Sequence, residues 1–386
     1  MDRRQVRGLA VVAVLLALVV LTAAIAGAQQ GPASAAHTII AANLNAPRHL
    51  AFGADGALYV AEAGAGGELC VPGERGENCI GESGAVTRVD QGMQERVVDD
   101  LVSLLTTADG QSEATGPHDV AWDNGGNLMV IVGLGANPNV RDPNGALGPL
   151  SENLGQLVQV AADGTWANVV DVAAYEAAEN PDGGEIDSNP YGLERIDGGY
   201  LVADAGANAL LHVTDNGDIS TVAVFPDRMV EFPPGSGQMM PMQAVPTSVV
   251  VGLDGAYYVS QLTGFPFPPG GANIYRVVEG EAPEVYATGF TNIVDIAFDE
   301  DGYLYVVEIA KNGLLSGDPT GAVIRVDDDH NQVELANLFM PGGVAVGDDG
   351  MLYVTTGTPG GMPGGVVRLS AQPVVLLPVV AGGSGQ

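Results

Sequence analysis

Short apolar runs recur along the chain, each followed by a turn of Asp, Asn and Gly and then by a run rich in aromatic and β-branched residues. The copies read PRHLAFGADGALYVAE from Pro47, PHDVAWDNGGNLMVIV from Pro117, PYGLERIDGGYLVAD from Pro190, PTSVVVGLDGAYYVSQ from Pro246, NIVDIAFDEDGYLYVVE from Asn292 and PGGVAVGDDGMLYVTT from Pro341. Runs of this length and residue type predict β-strands. Pairs such as Asp55-Gly56, Asp254-Gly255, Asp301-Gly302 and Asp349-Gly350 supply the positive φ angles that tight hairpins need. A second hairpin follows each of the first five copies, as AVTRV then ERVV, QLVQV then ANVV, LLHV then STVAVF, IYRVV then EVYA, and VIRV then VELA. Each unit therefore has four strands, and a four-stranded unit repeated along a whole chain is the pattern of a propeller.

The sixth unit continues only with VVRLS at residues 366–370. Its missing outer strand is available at the other end, at residues 37–44, and pairing the two removes both open sheet edges. An open solenoid would need polar capping units, and none is visible. The expected fold is all-β, a six-bladed β-propeller of four-stranded antiparallel blades over residues 37–370, closed by an N-terminal strand that completes the last blade. Residues 371–386 form a C-terminal tail whose PVVLLPVV is too short for a membrane helix.

In such a blade, the turns joining strands one and two and strands three and four open on one face. The remaining connections open on the other. The first set is short throughout, whereas the second holds the insertions at residues 64–84, 133–155, 172–189, 226–245, 264–271 and 309–321. Long loops gathered on one side of a rigid scaffold mark the expected functional face.

Composition adds export and a strong charge. Arg3, Arg4 and Arg7 precede an apolar stretch at residues 9–26 and the small residues of Ala26-Gly27-Ala28, the pattern of a secretory leader over residues 1–28. That stretch is also nearly long enough to be an uncleaved anchor; no other membrane span is expected. The protein is placed outside the cytoplasm, as secreted, periplasmic or surface-held. With 14 Lys+Arg against 47 Asp+Glu, the net charge of −33 repels phosphate backbones and excludes nucleic acid as a partner. It favours a soluble monomer. Cys70 and Cys79 are the only cysteines. In an oxidising compartment they are expected to form a local disulfide contributing about 2.5 to 3 kcal/mol.

Side chains near the axis on the looped face come from the starts of first strands and the ends of second strands. The starts carry Arg48, His49, His118, Asp119, Tyr191, Thr247, Ser248 and Asp295; the ends carry Glu62, Asp204, Gln261 and Glu308. Asp119 and Asp295 fall in the second and fifth units and should face each other across a six-fold ring. Converging carboxylates repel unless protonated or bridged by a cation. Glu62, Asp119, Asp204, Asp295 and Glu308 are thus candidate ligands for a divalent cation such as calcium or magnesium, or else acceptors of backbone amides. His118 is a candidate general base, and both His49 and His118 have structural hydrogen bonding as the alternative. Asn208 joins the ligand-binding candidates, as do Phe265 and Phe267 in the rigid GFPFPP loop from Gly264, which either meet a ligand or pack on a neighbouring loop. No complete catalytic motif occurs.

SNPYG from Ser188, VADAGAN from Val202, MQAVPTSVVVG from Met242, LTGFPFP from Leu262 and AFGADGALYVAEAG from Ala51 together resemble the ScyD/ScyE family. The resemblance implies an exported propeller related in shape to the NHL and SMP-30/gluconolactonase groups, in a family associated with biosynthesis of an extracellular ultraviolet-absorbing pigment. The broader lactonase relatives hold a divalent metal with Glu, Asn and Asp at axial strand starts. Here those positions are Arg48, His118, Tyr191, Thr247, Val294 and Gly342, so that ligand pattern is not reproduced. Streptogramin-lyase-like propellers are a looser comparison, with Glu62 and Glu308 the only suggestive positions. The leading expectation is a binding module for a small molecule, glycan or protein on the looped face. The alternative is a metal-dependent hydrolase or lyase at the central channel.

Overall fold

The computed structural model describes residues 37–73 and 75–373. The leader pattern of residues 1–28 and most of the C-terminal tail lie outside the described residues. Among the described residues no helix is long and apolar enough to cross a membrane.

The chain is nearly all-β, with five four-stranded antiparallel sheets, one six-stranded sheet and a two-stranded ribbon among the described residues. Each strand–turn–strand repeat forms the inner pair of one sheet, as Pro47–Phe52 with Leu58–Glu62 or Ile293–Phe298 with Leu304–Glu308. Burial grades across each sheet. Leu304–Glu308 is buried at every position, whereas the outer strand Trp166–Asp171 has no buried residue. A strand packed on both faces reads as a nearly continuous apolar run, and one at the rim need not. His37–Asn45 pairs antiparallel with Pro363–Ser370, placing Ala41 and Leu44 in a core with Val366.

Apolar layers lie between successive sheets. Ala61 and Val86 meet Val120 and Val130; Ile131 and Leu157 meet Val202 and Leu211; the last such layer joins Ala345 and Val366 to Leu50 and Val60. The innermost strands neighbour one another in the same order, Pro47–Phe52 beside Pro117–Trp122, then Pro190–Ile196, Pro246–Val251, Ile293–Phe298 and Val344–Val346, which lies again beside Pro47–Phe52.

The Asp-Gly turns differ from expectation in one respect. Gly56, Gly255, Gly302 and Gly350 take positive φ (76°, 77°, 91° and 68°), but the aspartates before them do not. Asp55, Asp254 and Asp349 instead cap their own turns with their carboxylates, and in the Asp301-Gly302 turn Asp299 does so, accepting the Asp301 and Tyr303 amides. Asp254 accepts from the Ala256 N–H at 3.1 Å and from Arg276 Nε at 2.8 Å; Asp55 with Arg88 and Asp349 with Arg368 repeat the arrangement. Since each arginine stands on the third main strand of its sheet, the device ties the first hairpin to the second.

The insertions are structured. Residues 64–84 form the hairpin of Leu69–Pro72 with the start of Glu77–Asp90, where Cys70 and Cys79 lie opposite each other and are joined by a disulfide. Residues 172–189 begin with the helix Val172–Glu179, N-capped by Asp171, whose side chain accepts the Ala174 N–H. Residues 226–245 carry the ribbon of Arg228–Glu231 with Met239–Met242.

Candidate functional site

The starts of the inner strands converge on a cavity of about 400 Å³. Arg48, Tyr191, Thr247 and Val294, from four different sheets, line it together with loop residues that include Arg75, Glu113, Leu262, Ile309, Leu314 and Met340. That volume and mixture of an apolar wall with a few polar groups is usual for small-molecule pockets. The wall comes from the insertions: Arg75 from the disulfide-bearing hairpin, Asn189 from residues 172–189, Val245 from 226–245, and Ile309 and Leu314 from 309–321. Gln111, Ser112 and Glu113 come from a further hairpin, Met93–Ala108 with Gln111–Thr115, which sequence reasoning passed over. Its signal was present in the Asp109-Gly110 pair, where both residues take positive φ (52° and 78°) as a two-residue hairpin loop requires.

Arg48 is 4% exposed. Its Nη1 donates to the Tyr191 hydroxyl at 3.3 Å and its Nη2 to the Ala114 carbonyl, while Nε is buried without an acceptor. Tyr191 packs against the His118 ring at 4.4 Å between centroids and against His49 at 5.2 Å. His118 Nδ1 donates to the Pro190 carbonyl at 3.1 Å. Burial, then the nearby Arg48 charge, pushes its pKa well below the ordinary imidazole value. His118 is therefore neutral at pH 7, which fixes Nδ1 as the N–H donor. Its position depends on Gly133, where an added Cβ would stand 2.1 Å from His118 Cε1. Gly133→Ala is expected to lower unfolding free energy by about 1–3 kcal/mol through overpacking, read by urea denaturation. An unchanged midpoint would show that the ring moves freely.

One residue along, the strand starts form a polar layer. His49 Nδ1 lies 3.1 Å from Asp119 Oδ2, and its Nε2 lies 3.0 Å from the Val294 carbonyl and 4.0 Å from Asp295 Oδ1. Both ring nitrogens face acceptors, so both carry protons. Burial alone would depress this imidazole, but Asp295 and then Asp119 outweigh it and hold the pKa up at about 9. Asp119 also accepts from the Val120 and Leu193 amides. Asp295 accepts from the Ser248 hydroxyl and the Ile296 and Val344 amides. Asp119 and Asp295 thus both flank the His49 imidazolium.

The other candidate metal ligands lie apart, each held by protein donors. Glu62 takes the Asn45 amide, the Thr87 hydroxyl and Arg96; Asp204 takes the Ser188 hydroxyl and the Asn189, Gly206 and Ala207 amides; Glu308 takes the Thr291 amide. Burial pushes Asp204 up to about 6 and Glu308 up to about 7. Among the described residues, one group of three His, Cys, Asp or Glu ligand atoms lies within metal-binding reach, and it is Cys70, Glu77 and Cys79, whose sulfurs are in the disulfide.

Of the ligand-binding candidates, Arg48, Tyr191 and Thr247 reach the cavity. Asn208 bonds Asp182 and the Val245 amide, and Gln261 accepts from Arg228 and the Asn273 amide. Phe265 and Phe267 do not line the cavity: Phe265 packs edge-on against Phe232 at 4.9 Å and against Phe267 at 6.3 Å, so the loop meets its neighbour.

No protein-family model matches the chain, and no curated protein matches it in sequence. Among solved structures it is similar to a gluconolactonase from Xanthomonas campestris, at 11% identity over 88% of this chain and 94% of that one, with a TM-score of 0.50. A virginiamycin B lyase from Staphylococcus aureus, crystallised with quinupristin, gives 12% identity over 86% of this chain and 98% of that one, with a TM-score of 0.45. At such identities likeness speaks to fold alone, and the gluconolactonase match, with the four-stranded antiparallel sheets, is consistent with a β-propeller.

Proposed function

We propose that the protein is an exported six-bladed propeller of the ScyD/ScyE kind acting as a binding module, whose looped face holds a small molecule in the cavity at the mouth of its axis. The cyclic order of inner strands and interleaved cores supports the six-bladed ring. The observation that carries the binding reading is the convergence of Arg48, Tyr191, Thr247 and Val294, from four sheets, on one cavity walled by the insertions. A cavity of about 400 Å³ suits a small molecule better than a glycan chain or a protein surface. Binding is preferred to metal-assisted hydrolysis because the acids that hydrolysis would need are already bonded to protein donors.

The test is a thermal-shift screen of chemically varied small molecules, repeated on Leu314→Trp. Leu314 is half-buried on the cavity wall, at the margin of the core that contains Val294 and Ile309, so the larger side chain has the cavity to extend into. Ligands that raise the melting temperature of the native protein by mass action should bind at least tenfold more weakly to the variant, whose own melting temperature stays within a few degrees. Ligands insensitive to the substitution, or no ligand in a broad screen, would overturn the reading.

A further inference from the structure

Arg48 is the only arginine or lysine in the buried class among the described residues. A buried charge is ordinarily paired, because removing it from water without a counter-charge is costly. The partners of Arg48 are neutral, the Tyr191 hydroxyl and the Ala114 carbonyl, and no carboxylate of the described residues lies within 4.0 Å of it. Elsewhere Arg88, Arg96, Arg141, Arg195, Arg276 and Arg368 each hold a carboxylate within 3.1 Å. In a chain with 47 acidic and 14 basic residues, counter-ions are abundant, yet the one buried guanidinium has none and lines the axial cavity. Its buried Nε is a further donor without an acceptor.

Arg75 lines the same cavity, also with no carboxylate of the described residues within ion-pair distance, and donates to the Gly135 carbonyl at 2.6 Å. Glu113 is the only acid on the wall, and it is exposed. The cavity wall thus carries two guanidiniums against one carboxylate inside a protein of net charge −33, with Leu262, Ile309, Leu314 and Met340 as its apolar side.

We propose that the ligand of this cavity is a small organic monoanion, with a carboxylate-type head on the Arg48 guanidinium and an apolar body against Leu262, Ile309, Leu314 and Met340. This rests on the reading of the cavity as a small-molecule site. A planar fork of N–H donors matches a carboxylate in geometry as well as charge. One buried cation and the nearby Glu113 suit a single negative charge better than a dianion. The apolar wall gives an inorganic anion nothing to cover.

The experiment is calorimetric and thermal-shift titration of the full chain with benzoate and hexanoate, with benzamide and hexanamide as neutral counterparts of the same shape, and with inorganic phosphate. One or both carboxylates should produce a saturable upward shift, at least tenfold tighter than the matching amide and tighter than phosphate. Arg48→Gln should erase the preference for acid over amide, and Arg48→Lys should retain part of it by keeping the charge without the fork. If Arg48→Gln does not fold, the acid–amide comparison on the native protein and on Arg48→Lys decides. Amides binding as well as acids, or acid binding that survives Arg48→Gln, would overturn the ion pair while leaving the cavity reading intact. Phosphate binding as tightly as the organic acids would overturn the role of the apolar wall. No response to any probe would overturn the anion class, and the Leu314→Trp screen then decides separately whether the cavity binds anything.

Discussion

His49→Ala is expected to destabilise the protein by about 3–5 kcal/mol at pH 7, the range for removing one partner of a buried charge network. The imidazolium stands between Asp119 at 3.1 Å and Asp295 at 4.0 Å, and all three side chains are buried. Without it, two buried carboxylates are left beside the vacated space with no counter-charge. Their backbone donors remain, since the Leu193 and Val344 amides still reach Asp119 and Asp295, so the loss is that of the counter-charge. Adding Asp119→Asn and Asp295→Asn to His49→Ala should return part of the stability, because the repulsion goes with the charges. Equilibrium urea unfolding measures each variant. A loss below about 1 kcal/mol for His49→Ala, or no recovery in the triple variant, would mean that His49 is not the charged centre of the axis.

The same network sets a pH dependence whose sign is unusual. The folded pKa of His49, about 9, lies above the ordinary value of 6.5, so the native state keeps a proton that the unfolded chain releases. Its contribution is complete below pH 6.5 and is lost as pH rises through 9, amounting to about 3 kcal/mol by linkage. Buried acids act in the same direction. Burial, with Asp204, Asp182 and Asp187 nearby, raises Glu176 to about 7, and burial followed by the Asp119 charge raises Glu194 to about 8. These groups bind protons more tightly when folded, so stability falls as pH rises above the usual carboxylate range. The opposite limb belongs to Asp55, Asp254 and Asp349, where arginine and turn hydrogen bonds outweigh partial burial and hold the carboxyls below 3.8. Their contribution is lost as pH falls through those lowered values. Melting temperature should therefore peak between about pH 4 and 6 and decline steadily towards pH 9.

The strand pattern was legible because it is local: a short apolar run, an Asp-Gly turn and a second run rich in aromatic and β-branched residues specify a hairpin with little help from the rest of the chain. The meeting of Asp119 with Asp295 could be read from repeat position alone. Identifying His49 as the charge between them could not, because its two nitrogens reach Asp119, 70 residues away, and the Val294 carbonyl, 245 residues away. The cavity was half legible. Arg48, Tyr191 and Thr247 follow from their places at strand starts, but the far wall is built by insertions whose direction no periodicity encodes. Phe265 and Phe267 show the same limit from the other side. Two aromatics on a stiff loop left a ligand contact and packing on a neighbouring loop equally open, and only the ribbon at residues 228–242, which supplies Phe232 for Phe265 to pack against, decides between them.

Deleting residues 37–45 should have the second large effect, because it removes one whole strand of a four-stranded sheet. His37–Asn45 covers the Pro363–Ser370 edge and buries Ala41 at 3% and Leu44 at 2% exposure against Val366. Exposing Leu44's neighbours and leaving a row of unpaired backbone groups should cost at least about 4 kcal/mol, counting about 1.5–3 kcal/mol for the leucine alone. The bare edge is also a template for another chain, so the truncated protein should self-associate more readily than the intact one. Light scattering and thermal unfolding read the two consequences together. A synthetic peptide of residues 37–45 added in trans should restore both, since strand addition to an open edge needs only matching backbone donors and the alternate side chains of the native register. Restoration by a peptide with Ala41 and Leu44 replaced by Ser would show that backbone pairing alone closes the edge. An intact melting curve after deletion would show that the sheet, and any ring it belongs to, stands without its N-terminal strand.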